Sequence, residues 1–147
     1  MLVRRLSSLL VALATLGVAC TSSQPHRVAS QGAPGPIEVQ GTWASASGAR
    51  TALVYFAVSN PTGRDDVLLG ASSDIGGRAI IRKEASAGRT HLVRHVEVPS
   101  GGEVSFQPGS YEVELVGVDR RLGSGSIVRL TLRFEHAGAV PVSAGVR

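Results

Sequence analysis

Apolar and polar residues alternate with a period of two through most of the chain after residue 36. The segment 111–118 shows the pattern clearly, because its apolar residues at positions 111, 113 and 115 alternate with Glu112 and Glu114. Side chains of a β-strand alternate between two faces, whereas those of a helix repeat every 3.6 residues, so this pattern predicts strands. We find no helical periodicity of useful length after Pro36.

Turns rich in glycine, proline and serine separate nine such segments, and this spacing is typical of an immunoglobulin-like β-sandwich. The predicted strands are 37–43, 51–58, 67–73, 78–84, 91–98, 104–106, 111–118, 128–134 and 139–142. The sequence therefore predicts an all-β sandwich of about nine strands. Residues that alternate with polar neighbours form the predicted core: Leu53, Tyr55, Val113, Leu115, Val128, Leu130, Leu132 and Phe134.

The first 19 residues have the composition of a secretory leader. Arg4 and Arg5 precede an apolar run at 6–18, which is shorter than the roughly 20 residues that a membrane-spanning helix needs. The segment LGVAC at 16–20 resembles a bacterial lipobox, in which the cysteine is acylated and becomes the first residue of the mature protein. We therefore expect Cys20 to anchor the protein to the extracytoplasmic face of the cell membrane. The alternative is an ordinary signal peptide with an incidental cysteine.

Three regions follow from this assignment: a signal peptide at 1–19, a lipid-anchored tether at 20–36 and one folded domain at 37–147. The tether is rich in serine, glutamine, proline and glycine and has almost no apolar content, which is typical of a flexible linker. It also contains His26, which we interpret as a solvated linker residue and not as a metal ligand.

Composition excludes several classes of function. The chain of 147 residues has 15 basic and 11 acidic residues and a net charge of +4. Loss of the leader would remove two arginines and leave a net charge of +2, too even to indicate a nucleic-acid partner. The single cysteine excludes an internal disulfide. We find no nucleophile paired with a base and no phosphate-binding glycine motif, so we expect no enzymatic activity.

Five short markers occur in order along the predicted domain: Asn60, LGASS at 69–73, PSGG at 99–102, PGSY at 108–111 and LRFEHAG at 132–138. Together they resemble the periplasmic copper chaperone family PCu(A)C. The segments 72–76 and 141–145 are more similar to the actinobacterial lipoprotein branch of that family. The resemblance implies a cupredoxin-like β-sandwich that binds Cu(I) through histidine and methionine and delivers it towards cytochrome oxidase.

The family's copper ligands are absent from the matching positions. The resemblance places the first histidine ligand on or near Arg82, a methionine ligand near Thr90, and the His-x-Met pair on Glu112 and Glu114. Cu(I) prefers sulfur and imidazole ligands, whereas carboxylates suit harder ions. The mature chain would contain no methionine, and its one cysteine is expected to be acylated. Copper is thus implied by the resemblance alone, and no cofactor follows from the residues.

Histidines offer one replacement for the lost site. His91 and His95, with Glu112 or Glu114, could form a different copper or zinc site. On one strand the two histidines would stand about 13 Å apart at ~3.3 Å per residue, too far to share an ion without a bulge. The alternative is that both are surface histidines. We expect a structural role for His136, in the turn after the last long strand.

An ion-pair cluster is a second replacement, in which Arg82 and also Lys83 face Glu112 and Glu114 and no metal is bound. The acidic pair at 65–66 could suggest a site for a hard cation, but a solvated turn explains it as well.

Two functions remain open. The first is an envelope lipoprotein that works in copper handling or cuproprotein assembly together with a protein partner. The second is a structural or adaptor module at the envelope that binds no metal.

Overall fold

The computed structural model describes residues 36–147. The predicted signal peptide 1–19, the predicted lipidation site Cys20, His26 and all but the last residue of the predicted tether 20–36 lie outside the described residues. Between residues 36 and 147 there is no helix that could span a bilayer. This part of the chain forms ten strands and a single-turn 3-10 helix at Ser86–Gly88.

The strands are β1 (Glu38–Ala46), β2 (Thr51–Ser59), β3 (Asp66–Ser73), β4 (Arg78–Glu84), β5 (Thr90–Val93), β6 (Val96–Val98), β7 (Glu103–Phe106), β8 (Tyr111–Val116), β9 (Ile127–Phe134) and β10 (Ala139–Val146). They join one hydrogen-bonded sheet in the order β5-β4-β8-β7-β2-β1-β10-β9-β3-β6. Most neighbours are antiparallel, and β1–β10 and β7–β8 are parallel. Leu69 of β3 and Leu92 of β5 line the same cleft, so the two ends of the sheet approach each other and the sheet is nearly closed. The predicted all-β fold is confirmed.

The core lies inside this curved sheet, and β9 shows how alternation builds it. Val128, Leu130, Leu132 and Phe134 are all buried, and the residues between them are exposed or half-buried. Full burial of one such side chain stabilises the fold by roughly 1.5–3 kcal/mol relative to exposure. Phe56 and Phe106 stack at the centre, with ring centroids 4.4 Å apart. The predicted core positions on β8 and β9 are confirmed.

The predicted face of β2 is wrong. Val54 and Phe56 point into the core, whereas Leu53 is half-buried on the outer face. Tyr55 is buried, but its ring packs on that outer face against Trp43, with centroids 4.4 Å apart. Since β2 is apolar on both faces, alternation along the chain could not decide which face turns inward.

The predicted strand 91–98 is also wrong, because it is two strands that belong to opposite ends of the sheet. β5 pairs with β4, and β6 pairs with β3. In one continuous strand Leu92 and Val96 would share a face, but Leu92 is 62% exposed and Val96 only 3%. The chain breaks at 94–95, where it crosses from one end of the sheet to the other. This break raises the strand count from nine to ten.

Asn60 is fully buried, and its side chain ties the loop after β2 to the end of β6. Its Nδ2 donates to the carbonyl oxygens of Arg64, at 2.9 Å, and Val98, at 2.8 Å. Its Oδ1 accepts hydrogen bonds from the backbone N–H and the hydroxyl of Thr62. A buried amide is stable only when its polar atoms have partners, and here each has two.

Asp66 is not part of a solvated turn, as one interpretation of the pair 65–66 held. It is 4% exposed, and its carboxylate binds the turn between β9 and β10. Oδ1 accepts from the N–H groups of Val67, at 2.8 Å, and His136, at 2.9 Å, and Oδ2 accepts from the N–H of Ala137, at 2.8 Å. This contact uses the backbone N–H of residue 136 and not the imidazole, so a structural role for the His136 side chain stays a prediction.

Candidate functional site

The four positions that the resemblance assigns to copper ligands come together on the outer face of β4, β5 and β8. The antiparallel register sets Arg82 opposite Glu112 of β8 and opposite Leu92 of β5. Glu114 lies two residues from Glu112 on the same face, and Thr90 lies two residues from Leu92. We call Arg82, Thr90, Glu112 and Glu114 the ligand-position cluster.

Arg82 contacts two of the other three residues, Glu114 and Thr90. Its Nε donates to Oε2 of Glu114 in an ion pair, and its Nη1 lies 3.4 Å from the Thr90 hydroxyl. The side chains of Arg82 and Glu114 are 33% and 20% exposed, so water screens the pair only in part. The predicted pairing of Arg82 with a glutamate of β8 is confirmed.

Glu112 is held by an aromatic residue on β2 that the sequence analysis assigned to the core and not to this site. The Tyr55 hydroxyl donates to Oε2 of Glu112 over 3.4 Å. Burial, followed by the negative charge of Glu112 and this hydrogen bond, raises the pKa of Tyr55 to about 12. The phenol therefore stays protonated and remains a donor at any physiological pH. Trp43 packs against the ring of Tyr55 and extends the same face to β1.

Lys83 does not join the ligand-position cluster, contrary to the ion-pair hypothesis. It stands opposite Tyr111 in the register, and its Nζ lies 4.8 Å from the centre of the Tyr111 ring. Neighbouring residues of a strand point to opposite faces, so Lys83 and Arg82 cannot share one face of β4.

Comparison with known proteins places the fold in a family. The model of the family described as "Putative lipoprotein LpqE-like" matches residues 37–146, most of the chain. The chain belongs to this LpqE-like family. No curated protein matches it in sequence.

Solved structures relate the LpqE-like chain to PCuAC domains. The copper-bound PCuAC domain from PmoF2 is 29% identical, with a TM-score of 0.65 over 78% of this chain and 95% of that domain. The apo PmoF2 PCuAC domain is 30% identical, with a TM-score of 0.65 over 78% of this chain and 92% of that domain. The Cu(I) form of DR1885 from Deinococcus radiodurans is 21% identical, with a TM-score of 0.65 over 81% of this chain and 83% of that protein. This similarity shows a shared fold. The predicted relationship to the PCuAC family is confirmed, and the actinobacterial branch stays a prediction.

The donor set of this LpqE-like chain does not fit Cu(I). A guanidinium has five N–H donors and no lone pair to offer a metal. The other groups of the ligand-position cluster are a hydroxyl and two carboxylates, which are hard oxygen donors, whereas Cu(I) prefers soft sulfur and imidazole. One of these carboxylates is already paired with Arg82 and the other accepts from Tyr55. The cluster links three strands through charge and hydrogen bonds.

The two candidate histidines occupy different places in the LpqE-like fold. His91 lies on β5 opposite Lys83, and His95 lies in the crossing between β5 and β6; both are exposed. The interpretation that placed them on one strand, about 13 Å apart at ~3.3 Å per residue, is wrong. The segment 91–98 is two strands, and His95 lies between them. Among residues 36–147 no group of three or more His, Cys, Asp or Glu side chains is arranged to hold a metal ion.

Proposed function

We propose that this chain is a lipid-anchored envelope protein that works in copper handling or cuproprotein assembly without holding Cu(I) in the PCuAC ligand positions. Membership of the LpqE-like family and the likeness to a copper-bound PCuAC domain support the link to copper. The predicted lipobox at Cys20 supports the anchor. The proposal includes no catalytic step.

One observation carries the proposal: the ion pair of Arg82 with Glu114 stands where the resemblance places two copper ligands. The Arg82 cation repels a second cation and neutralises Glu114, and Glu112 is a hard oxygen donor already bound by the Tyr55 hydroxyl, so the cluster offers Cu(I) no soft ligand. The domain therefore acts beside a copper-binding partner protein in the envelope and does not carry the ion alone.

The same ion pair favours a second function, that of an adaptor module with no part in copper chemistry. The two functions differ in a measurable way. In a strain that lacks this protein, the copper content of the membrane cuproproteins falls if the protein acts in their assembly, and it is unchanged if the protein is an adaptor.

Competition against a calibrated Cu(I) chelator tests the missing site. We expect the wild type to bind Cu(I) far more weakly than a PCuAC domain, and any residual binding to depend on His91 or His95. Tight one-to-one binding that survives the double substitution His91→Ala, His95→Ala would refute the proposal.

A gain-of-function variant makes this test sharper. Arg82→His, Thr90→Met, Glu112→His and Glu114→Met together restore soft donors at the ligand-position cluster and should raise the affinity for Cu(I) by orders of magnitude. The matched comparison sets the double variant Glu112→His, Glu114→Met against the same His-x-Met pair on the outward face of β9, as Arg129→His with Thr131→Met. Equal affinity of the two variants would mean that the cluster is not the family's site.

Lipid attachment is tested separately by replacing Cys20 with serine. We expect the variant to leave the membrane fraction and to change in electrophoretic mobility. Unchanged retention and mobility would show that Cys20 carries no lipid.

A further inference from the structure

Exposed arginines gather at one rim of the nearly closed sheet, the rim at which β2 begins. The turns after β1 and β3 and the loop after β8 meet there. Backbone hydrogen bonds join them: the N–H of Gly117 donates to the carbonyl oxygen of Arg50, at 2.8 Å, and the N–H of Asp119 donates to that of Ile75, at 2.9 Å. We call this surface the basic rim, and its exposed arginines are Arg50, Arg78, Arg120 and Arg121.

The charge of the basic rim is largely unpaired. None of its four arginines forms an ion pair with another residue of 36–147. Two acidic residues lie at the same rim, but Asp74 is already paired with Arg129, over 3.6 Å, so only Asp119 offsets the arginines. Val116, 38% exposed, and Ile127, 53% exposed, add apolar surface beside them. The basic rim therefore presents positive charge together with apolar side chains.

Exposed carboxylates gather at the opposite rim, where β2 ends. β2 has nine residues, so the two rims lie about 26 Å apart at ~3.3 Å per residue. Glu38 of β1 and Glu103 of β7 stand on either side of Ser59, the last residue of β2. Two exposed arginines lie at this rim, Arg64 and Arg133, and the carboxylates outnumber them. We call this surface the acidic rim, and its exposed carboxylates are Glu38, Asp65, Glu97, Glu103 and Glu135.

The two rims do not neutralise each other within one copy. Between residues 36 and 147 the carboxylates of the acidic rim have one contact with a basic side chain, that of Glu135 with His136, over 4.0 Å. Salt screens exposed charges beyond about 8 Å at physiological ionic strength, far less than the distance between the rims. Each rim therefore keeps charge that only a close partner can neutralise.

We propose that copies of this protein associate head to tail, with the basic rim of one copy against the acidic rim of the next. Charge complementarity carries the inference, because this contact brings unpaired arginines against carboxylates and covers Val116 and Ile127. A symmetric pair would set like charges against each other. Since each head-to-tail contact leaves one rim of either kind free, the copies form open chains. This inference does not depend on copper.

Two other occupants of the basic rim fit less well. An acidic segment of another protein would match the arginines but would leave the acidic rim without a partner, whereas a second copy uses both rims. An anionic membrane would also attract the arginines. The predicted tether, however, enters the domain at Pro36, which lines a cleft with Asp65. The predicted lipid anchor is therefore attached at the acidic rim, the rim that anionic lipid repels.

Sedimentation velocity of the full chain in a density-matched detergent measures the association. We expect the mean mass to rise with protein concentration at about 50 mM NaCl and to fall to that of the monomer at about 500 mM, because salt screens exposed charges. Association through apolar surface alone would not weaken in this way.

Charge reversal at either rim tests the pairing. The basic-rim variant Arg120→Glu, Arg121→Glu and the acidic-rim variant Glu38→Lys, Glu103→Lys should each weaken self-association roughly tenfold or more. An equimolar mixture of the two variants should associate again, because the intact acidic rim of one meets the intact basic rim of the other. Recovery in the mixture also shows that both variants are folded.

The matched control is Arg89→Glu, Arg94→Glu, which reverses two exposed arginines outside both rims and changes the net charge as the basic-rim variant does. We expect it to associate like the wild type.

Four results would overturn the proposal: a monomer at every concentration in low salt, association that salt does not weaken, no recovery in the mixture, or an equal loss in the control. Binding of the monomer to phosphatidylglycerol vesicles that is lost in the basic-rim variant would assign the basic rim to the membrane. The salt series uses the unaltered protein, so it tests the proposal without any variant. No assay contains copper, so its outcome is independent of the Cu(I) titration.

Discussion

Removal of the Asp66 carboxylate should destabilise the domain more than any other single change to its acidic residues. This side chain is buried and accepts three backbone hydrogen bonds of 2.8 to 2.9 Å. Two of these bonds come from His136 and Ala137, about 70 residues further along the chain, and fix the turn between β9 and β10 against β3. In Asp66→Ala these two N–H groups lose their acceptor.

The size of the effect follows from the bonds that are lost. A hydrogen bond to a charged group contributes roughly 1.5–3 kcal/mol, so the two bonds to the turn give about 3 to 6 kcal/mol. Water can reach part of the turn, and we therefore expect a loss of about 3 kcal/mol in the free energy of unfolding. Asp74→Ala is the control, because the Asp74 side chain is 38% exposed, its pair with Arg129 spans 3.6 Å, and its carboxylate accepts a single backbone hydrogen bond, from the N–H of Arg129 at 3.1 Å. That change should cost about 1 kcal/mol.

The pH dependence gives a second readout. Burial by itself would raise the pKa of Asp66, but the hydrogen bonds from His136, Val67 and Ala137 outweigh it, so the pKa lies below the ordinary 3.8. A carboxyl group whose pKa is lowered by folding contributes stability that is complete above its unfolded pKa and is lost as the pH falls through its folded pKa. The stability difference between wild type and Asp66→Asn should therefore be constant above pH 3.8 and shrink below it.

Urea denaturation across this pH range measures both effects. Two results would show that the three hydrogen bonds do not stabilise the fold as argued. One is a loss of stability in Asp66→Ala no larger than that in Asp74→Ala. The other is a stability difference between wild type and Asp66→Asn that persists at the lowest pH.

Three further predictions use the same denaturation assay or a spectroscopic one. Leu130→Ala should cost about 2 to 5 kcal/mol and Leu53→Ala about 1 kcal/mol, and equal losses would contradict the face assignment. Gly77→Ala should lower the free energy of unfolding by about 2 kcal/mol or more beyond the loss in Gly48→Ala. Both glycines have positive φ, but only at Gly77 would a Cβ meet a carbonyl oxygen, at 2.5 Å. Equal losses in the two variants would contradict this clash. By the difference in ultraviolet absorbance between wild type and Tyr55→Phe, Tyr55 should ionise near pH 12, and ionisation near pH 10 would contradict the burial of its ring and its contact with Glu112.

The sequence determined the strands of this protein whose local pattern allows only one buried face or one pair of end points. Along 128–134 apolar and polar residues alternate strictly, and the buried face of β9 was predicted residue by residue. The limits of β4 were predicted as 78–84, because turn residues lie on both sides of an apolar centre. The pairing of Arg82 with a glutamate of β8 was also expected, but that expectation came from the positions matched by the family resemblance. The spacing of residues along one strand does not show which strand lies beside it.

Tertiary structure decided which face of a strand is buried and which strands pair, because the pattern along one strand does not fix either. β2 is apolar on both faces, so only its neighbours choose Val54 over Leu53 for the core. The alternation of 91–98 continues through the point where the chain crosses the sheet, because a period of two carries no information about partner strands. Asp66 is buried only because β9 and β10 bring a distant turn above it, and a carboxylate can be buried where backbone N–H groups replace the water that it loses.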